Sequence, residues 1–444
     1  MLSYPVRIAL IAALGGFLFG FETVVISGAE ETLQKIWQLG SFAHGFTVAS
    51  SLLGTIFGAI TASRPANKYG RKKVLQIIAV LFIVAAIGCA SVSAWALFIF
   101  FRIIGGIAVG ASSMVAPMYI SEISPAKLRG RLAGSFQVNI VLGIMIAFLT
   151  NFLLKDVGAD AWRWMFGVML IPAVFFWIML RTIPESPRWL VINGAADRAI
   201  PIMQRLGEPD VQGAIAAISK SLHDQTGPEG EHKEPLFQKR YSKPILYAVL
   251  LAMFNQLSGI NAILYYAPRI FEMAGFDKSD SFRQSVYVGA ANLFFTLLAM
   301  TVIDKFGRKK LLLIGSIGVT VFLGLTAYAF KQGSGGSMVL LYLVGFIAFF
   351  AFSQGAVIWV FISEIFPNSV RSQGGSLGSS THWIMAAIIS WTFPVIVQGS
   401  SEGGFYSFVF YSVMMFLQLI FVWRVLPETK GRTLEDIQKD LGIS

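Results

Sequence analysis

Apolar blocks alternate with short polar stretches along the whole chain. Blocks of spanning length lie near 8–29, 44–63, 74–93, 95–117, 131–154 and 164–182, and a second set near 243–268, 282–303, 311–330, 338–363, 372–397 and 404–426. About twenty apolar residues wound as a helix cross the hydrocarbon of a bilayer, and a helix satisfies its own backbone there. The pattern therefore predicts an all-α integral membrane protein with twelve transmembrane helices. The first block has no small-residue cleavage site and is followed by many more, so it is expected to stay as a span. Residues 183–242 break the pattern: they are rich in Lys, Glu, Pro and Gly and include QTGPEGEHKEP, which cannot span. Within them DRAIPIMQRLG and VQGAIAAISKSLHDQ have the spacing of short amphipathic surface helices.

Composition agrees. The chain is 55% hydrophobic and 13% charged, where a soluble chain carries about a quarter charged residues. The single cysteine, Cys89, excludes an internal disulfide and a cysteine-built metal site. The net charge of +11 would suit nucleic acid if it were spread evenly, but it is not. Cations cluster after every second helix: Arg64, Lys68, Arg71, Lys72 and Lys73; Lys127, Arg129 and Arg131; Lys305, Arg308, Lys309 and Lys310; Arg424, Lys430 and Arg432. The opposite loops are poor in cations or carry acids as well, as in GAEETLQ and GFDKSDSF. The positive-inside rule then puts both termini and the middle segment in the cytoplasm, with no nucleic-acid partner.

The two sets of blocks also repeat one another. NKYGRKK (67–73) answers DKFGRKK (304–310), YISEISPAKLRG (119–130) answers FISEIFPNSVRS (361–372), and IPESPRWL (183–190) answers LPETKGRTL (426–434). Each copy follows its counterpart by about 240 residues, as two parallel six-helix halves require. The expected domains are a six-helix bundle over 1–182, a cytoplasmic linker over 183–242, a second bundle over 243–426 and a short tail over 427–444. Two like halves with matching cytoplasmic edges suit rocking about a central site, which is a transporter's architecture. No HExxH, GxSxG or Walker A pattern is present and the four histidines are scattered, which argues against an enzyme or an ATP-driven pump.

These motifs, with GGFLFGFETVVISG, RIIGGIAVG, NQLSGINAILYYAP and PETKGRTLEDI, occur in order and at predicted helix ends. On them the chain resembles the sugar porter family of the major facilitator superfamily, which includes bacterial xylose–proton and glucose–proton symporters and the facilitative glucose carriers. The resemblance covers nearly the whole chain. It implies two pseudo-symmetric six-helix bundles and import of a monosaccharide, hexose or pentose, with a proton by alternating access. No cofactor is implied beyond the coupling proton, and no metal. The expected setting is the bilayer of a bacterial inner membrane, with the protein working as a monomer. A sugar or polyol facilitator of the same fold, without proton coupling, and a non-transporting sugar sensor are the other readings; the short tail ending in LEDIQKDLGIS speaks against the last.

Glu22 is an acid in the middle of the first apolar block. A charge at that depth costs about 2.5–3.5 kcal/mol on insertion scales, so such groups are functional by default. The resemblance gives the carboxylate at this position the coupling proton and pairs it with Arg102; bacterial symporters usually have Asp there. Burial favours a protonated carboxyl and a guanidinium favours a charged one, so a group held between them can switch when the gap changes. The alternative is a buried ion pair kept for helix packing.

Amide side chains offer donor and acceptor together to a sugar hydroxyl, and aromatic faces cover its ring. Asn255, Gln256 and Asn261 cluster in FNQLSGIN, where Gly259 loosens the helix. By resemblance this is the main sugar-binding stretch, joined by Gln137, Asn292, Trp359, Trp383 and Phe19. Three positions depart from the family pattern: Asn255 replaces a first Gln, Ile144 a glutamine on the fifth helix, and His382 a Gln or Asn. His382 could donate a ring hydrogen bond to the sugar or add its own pH dependence. A helix–helix hydrogen bond is the plainer reading of any single amide here. The resemblance makes Tyr265 and Tyr266 an external gate. It also makes Glu122, Arg129, Glu364, Arg371, Arg71, Arg308 and Arg188 a cytoplasmic salt-bridge network that holds the halves together when the carrier faces outward.

Overall fold

The structure is a computed structural model and describes residues 3–125, 128–226, 235–333, 335–367, 369–432, 434–441 and 443. Lys127, the side chain of Lys305 and most of QTGPEGEHKEP lie outside the described residues. Among the described residues every regular element is helical. Twelve helices of the described residues are long and apolar enough to span: Tyr4–Gly28, Ser41–Thr61, Arg71–Ser91, Trp95–Ile123, Arg129–Leu154 and Ala161–Met179, then Lys239–Tyr265, Lys278–Thr301, Arg308–Gln332, Gly336–Ile362, Arg371–Gly399 and Gly403–Arg424. They are called the first to twelfth spans below. Large apolar side chains such as Phe57, Phe100, Ile171, Phe294 and Trp423 stand exposed along them, a surface that water disfavours and lipid covers.

Several spans are interrupted. The first tightens into a 3-10 turn at Ile26–Gly28 before a short helix, Glu30–Ile36. Asn151 of the fifth span donates its amide to the carbonyl of Val25 at 3.1 Å, and a side chain at Gly28 would collide with it. The seventh breaks at Gly259, whose φ of +79° only glycine adopts without strain. The tenth breaks at Ser353, where Ser353, Gln354 and Gly355 interrupt an otherwise apolar run.

The GRKK turns are built alike in both copies. Gly70 and Gly307 have φ of +93° and +88°. After each glycine a new helix starts with bare backbone N–H groups. Glu185 takes those of Arg71 and Lys72 at 2.9 and 3.1 Å, and Glu428 takes those of Arg308 and Lys309 at 2.9 and 3.2 Å. A carboxylate at a helix N-terminus is favoured by the helix dipole as well. The glutamates of PESPRWL and PETKGRTL thus anchor the linker and the tail to the third and ninth spans.

The linker forms helices Pro187–Ile192, Ala196–Leu206 and Val211–Thr226, the last two where amphipathic spacing predicts them. Leu190, Val191, Ala199 and Met203 make a small core beneath them. Tail helix Leu434–Leu441 buries Ile437 and Leu441 against Leu426 and Ile362.

Two compact units emerge. Unit one is Met1–Glu22, Gly54–Gly143 and Phe166–Glu234; unit two is Thr23–Leu53, Ile144–Met165 and Pro235–Ser444. They do not coincide with the two repeats. The ends of the first, second, fifth and sixth spans that lie away from the basic turns fold into unit two.

Candidate functional site

Within unit one, Glu22 and Arg102 meet. Both are 1% exposed, and Nη1 of Arg102 bonds to Oε1 of Glu22 and, at 3.3 Å, to its backbone carbonyl. The guanidinium also lies 5.6 Å from the ring of Phe166. Gly105 makes the room: a Cβ there would come within 2.7 Å of Oε1 of Glu22. Nε of Arg102 is buried without an acceptor among the described residues, so one carboxylate holds a cation that the rest of the site leaves partly unserved. Phe19 and Gln137 also belong to unit one, both half-buried, on the first and fifth spans.

Unit two assembles the amide cluster. Oε1 of Gln256 accepts from Asn261 at 3.0 Å, and Nε2 donates to Asn255 at 3.0 Å. The same Nε2 lies 3.1 and 3.2 Å from the two ring nitrogens of His382. An amide N–H is received only by a bare ring nitrogen, which leaves the other ring nitrogen's hydrogen for another partner. His382 is flanked by Trp359 and Trp383, with ring centroids 4.8 and 4.9 Å away. Trp359 is 38% exposed and Trp383 8%. Asn292 is buried on the eighth span.

The break at Gly259 turns the end of the seventh span so that Asn261 reaches back to Gln256. A side chain at 259 would meet the ring of Tyr411 at 2.4 Å. Gln354, at the break of the tenth span, gives its carbonyl to Asn255 at 3.5 Å and is 1% exposed. Sequence reasoning missed it, although a lone amide in an apolar run is a signal of the kind used for Asn292.

Farther along unit two, Tyr265 and Tyr266 are both buried. Tyr266 donates its hydroxyl to the carbonyl of Ser390 at 3.0 Å and packs on Phe393, ring centroids 5.0 Å apart. Beside it lies a cluster that the sequence reading passed over. Glu30, expected as a loop acid in GAEETLQ, is 2% exposed; it sits 2.6 Å from Nε2 of His44 and 3.0 Å from Nε of Arg269.

At the basic end the ion pairs form inside each unit. Arg71 grips Glu122 with two bonds of 2.9 Å, and Arg308 reaches Glu364 at 3.0 Å. Thr429 also donates to Glu364, at 2.6 Å. Arg371 turns to the carbonyl of Phe366 at 3.4 Å. Arg129 and Arg188, both exposed, line a cavity of 340 Å³ together with Glu122.

The family model for "Sugar (and other) transporter" matches residues 8–441. The D-xylose-proton symporter of Escherichia coli is 36% identical over 478 residues, covering 98% of this chain and 95% of that protein. The glucose transport protein of Synechocystis is 38% identical over 464 residues, covering 98% and 97%. The arabinose-proton symporter of Bacillus subtilis is 35% identical over 448 residues, covering 99% and 95%. Among solved structures, the inward open conformation of the xylose transporter XylE from Escherichia coli matches with a TM-score of 0.87 at 35% identity, over 98% of this chain and 99% of that one. XylE bound to 6-bromo-6-deoxy-D-glucose, described as a major facilitator superfamily protein, matches with a TM-score of 0.81 over 99% of each. A family model spanning nearly every residue, and a fold shared end to end with a major facilitator structure, leave one conclusion: the chain belongs to the sugar porter family of the major facilitator superfamily.

Proposed function

We propose that the chain imports a monosaccharide together with a proton by alternating access. The observation that carries the reading is the buried pair of Glu22 and Arg102. An acid and a cation at that depth are costly, and a proton carrier uses both: the acid to take the proton and the arginine to hold the acid when it is charged. The amide cluster supplies the sugar side. Gln256, Asn255, Asn261 and His382 bond to one another here. A hydroxyl that offers both donor and acceptor can replace these bonds one for one, while Trp359 and Trp383 cover the apolar ring face. Phe19, Gln137 and Asn292 add contacts in this reading. Tyr265 and Tyr266 gate the outer side. Arg71, Glu122, Arg129 and Arg188, with Arg308, Glu364 and Arg371, govern the inner one.

In this reading both termini are cytoplasmic, the membrane is a bacterial inner membrane, the working unit is a monomer, and the proton is the sole auxiliary. Relatives named for xylose, arabinose and glucose transport support a pentose or hexose as cargo. The test is uptake into proteoliposomes of D-xylose, arabinose and D-glucose, with and without a pH gradient. Proton coupling requires concentrative uptake with the gradient, equilibration without it, and alkalinisation of the outer medium when sugar is added. Saturable uptake that ignores the gradient on either face would leave a facilitator.

A further inference from the structure

We propose that Glu30, His44 and Arg269 are positioning residues that form a polar latch on the outer gate, holding Tyr266 in its closed place. The role rests on the transport reading above; the geometry does not. Glu30 is the hub. One carboxylate oxygen lies 2.6 Å from Nε2 of His44 and the other 3.0 Å from Nε of Arg269. The same arginine donates from Nη2 to Gln34 at 2.7 Å. His44 is fully buried, and its ring stands edge-on to Tyr266 with centroids 5.9 Å apart. Tyr266 is thereby held between His44 and Phe393, with its hydroxyl on Ser390.

A buried ion pair is weak support for a static fold, because desolvation offsets the attraction. It is better suited to a joint that must open, since water replaces the lost bonds at once. Three features mark this cluster as such a joint. Glu30 and His44 come from the first repeat and Arg269 from the second, so the bonds tie together segments that rocking would part. The rim around them is tight: a Cβ at Gly45 would lie 2.0 Å from the carbonyl of Trp391, and Trp391 donates to the carbonyl of Phe42 at 3.0 Å. Finally, both ring nitrogens of His44 and the Glu30 oxygen 2.6 Å from Nε2 are buried without a hydrogen bond among the described residues, a cost that disappears when the site is wetted. Glu31, Glu272 and Lys278 complete the charges around the cluster.

Cysteine labelling tests the latch. Ser390→Cys places a thiol behind Tyr266 at a position that is fully buried, and native Cys89 of unit one, 1% exposed, is the internal control. A membrane-impermeant maleimide is applied to intact cells and to inverted vesicles. If the orientation reading fails, the reactive side changes; if the latch proposal fails, the variants label no faster than S390C alone. Adding E30Q or R269Q to S390C should speed labelling about tenfold, the change that about 1.4 kcal/mol of coupling gives. Combining both should speed it no further than either alone, because they break one joint. R269K, which keeps the charge but loses the fork to Gln34, should give an intermediate rate if the harsher variants fold poorly. Unchanged rates, effects that multiply in the combination, or a parallel rise at Cys89 (a general loosening) would each overturn the proposal.

Discussion

Glu22→Gln changes one atom in a site where both partners are 1% exposed. The glutamine oxygen can still accept from Nη1 of Arg102, so the shape of the site survives while its charge balance does not. Orphaning a buried charge in this way costs about 3–5 kcal/mol, a large share of a stability of about 5–15 kcal/mol, and the variant should fold but melt earlier. Its transport phenotype is sharper. A gradient of one pH unit stores about 1.4 kcal/mol per proton, enough for about tenfold accumulation at one proton per sugar. Wild-type proteoliposomes under that gradient should approach this ratio, and the variant should stop at equal concentrations inside and out. Counterflow of labelled sugar should persist in the variant, because it moves no net proton and the Gln256 cluster is untouched. The double variant E22Q/R102Q removes the orphan and should regain melting temperature without regaining accumulation. Full accumulation by E22Q, with melting unchanged, would refute both the coupling role and the energetic account of the pair.

Other consequences are as direct. Gly105→Ala should push the carboxylate of Glu22 off Arg102, since its Cβ would lie 2.7 Å from Oε1; accumulation should fall while counterflow continues. Gln256→Ala removes the residue bonded to Asn255, Asn261 and His382 and should abolish saturable uptake with the protein still in the membrane. Gly259→Ala meets a backbone at φ +79° and the ring of Tyr411 at 2.4 Å. Strain of about 1–2 kcal/mol and overpacking of about 1–3 kcal/mol should lower both melting temperature and sugar affinity. Burial, with the charges of Glu31 and Glu30, holds the carboxyl of Glu272 above its ordinary 4.5. The folded protein therefore keeps that proton longer than the unfolded chain. The stability it contributes is complete below pH 4.5 and is lost as pH rises through the raised value. Glu272→Gln should flatten that part of the melting-temperature profile.

The number and order of the spans were legible because lipid imposes a length that few other constraints impose. Glu22 and Arg102 were legible for the same reason: a lone charge in an apolar run stands out, and the resemblance supplied the pairing. Gly259 announced its break. The break at Ser353 was passed over, although Ser353, Gln354 and Gly355 interrupt the apolar run there. Glu30 was hidden by its neighbours. In GAEETLQ it looks like any loop acid, and only the 3-10 turn at Ile26–Gly28, fixed by an amide more than a hundred residues away, swings it inward to His44 and Arg269. The lone histidine at the start of the second span was the available signal. The compact units differ from the repeats because contacts follow which ends are packed together, and repetition in the chain reports only how it is written.

The turns at Gly70 and Gly307 carry one more implication. Glu185 and Glu428 hold peptide N–H groups, which every residue but proline provides, so the grip does not depend on which side chains follow the glycine. Lys73, Lys309 and Lys310 are consequently free to drift among homologues while the two glycines and two glutamates stay put; Lys72 is held besides by its Nζ on the carbonyl of Arg181 at 3.2 Å. A comparison of many such carriers should find variation concentrated in the lysines and stillness in the bracket around them.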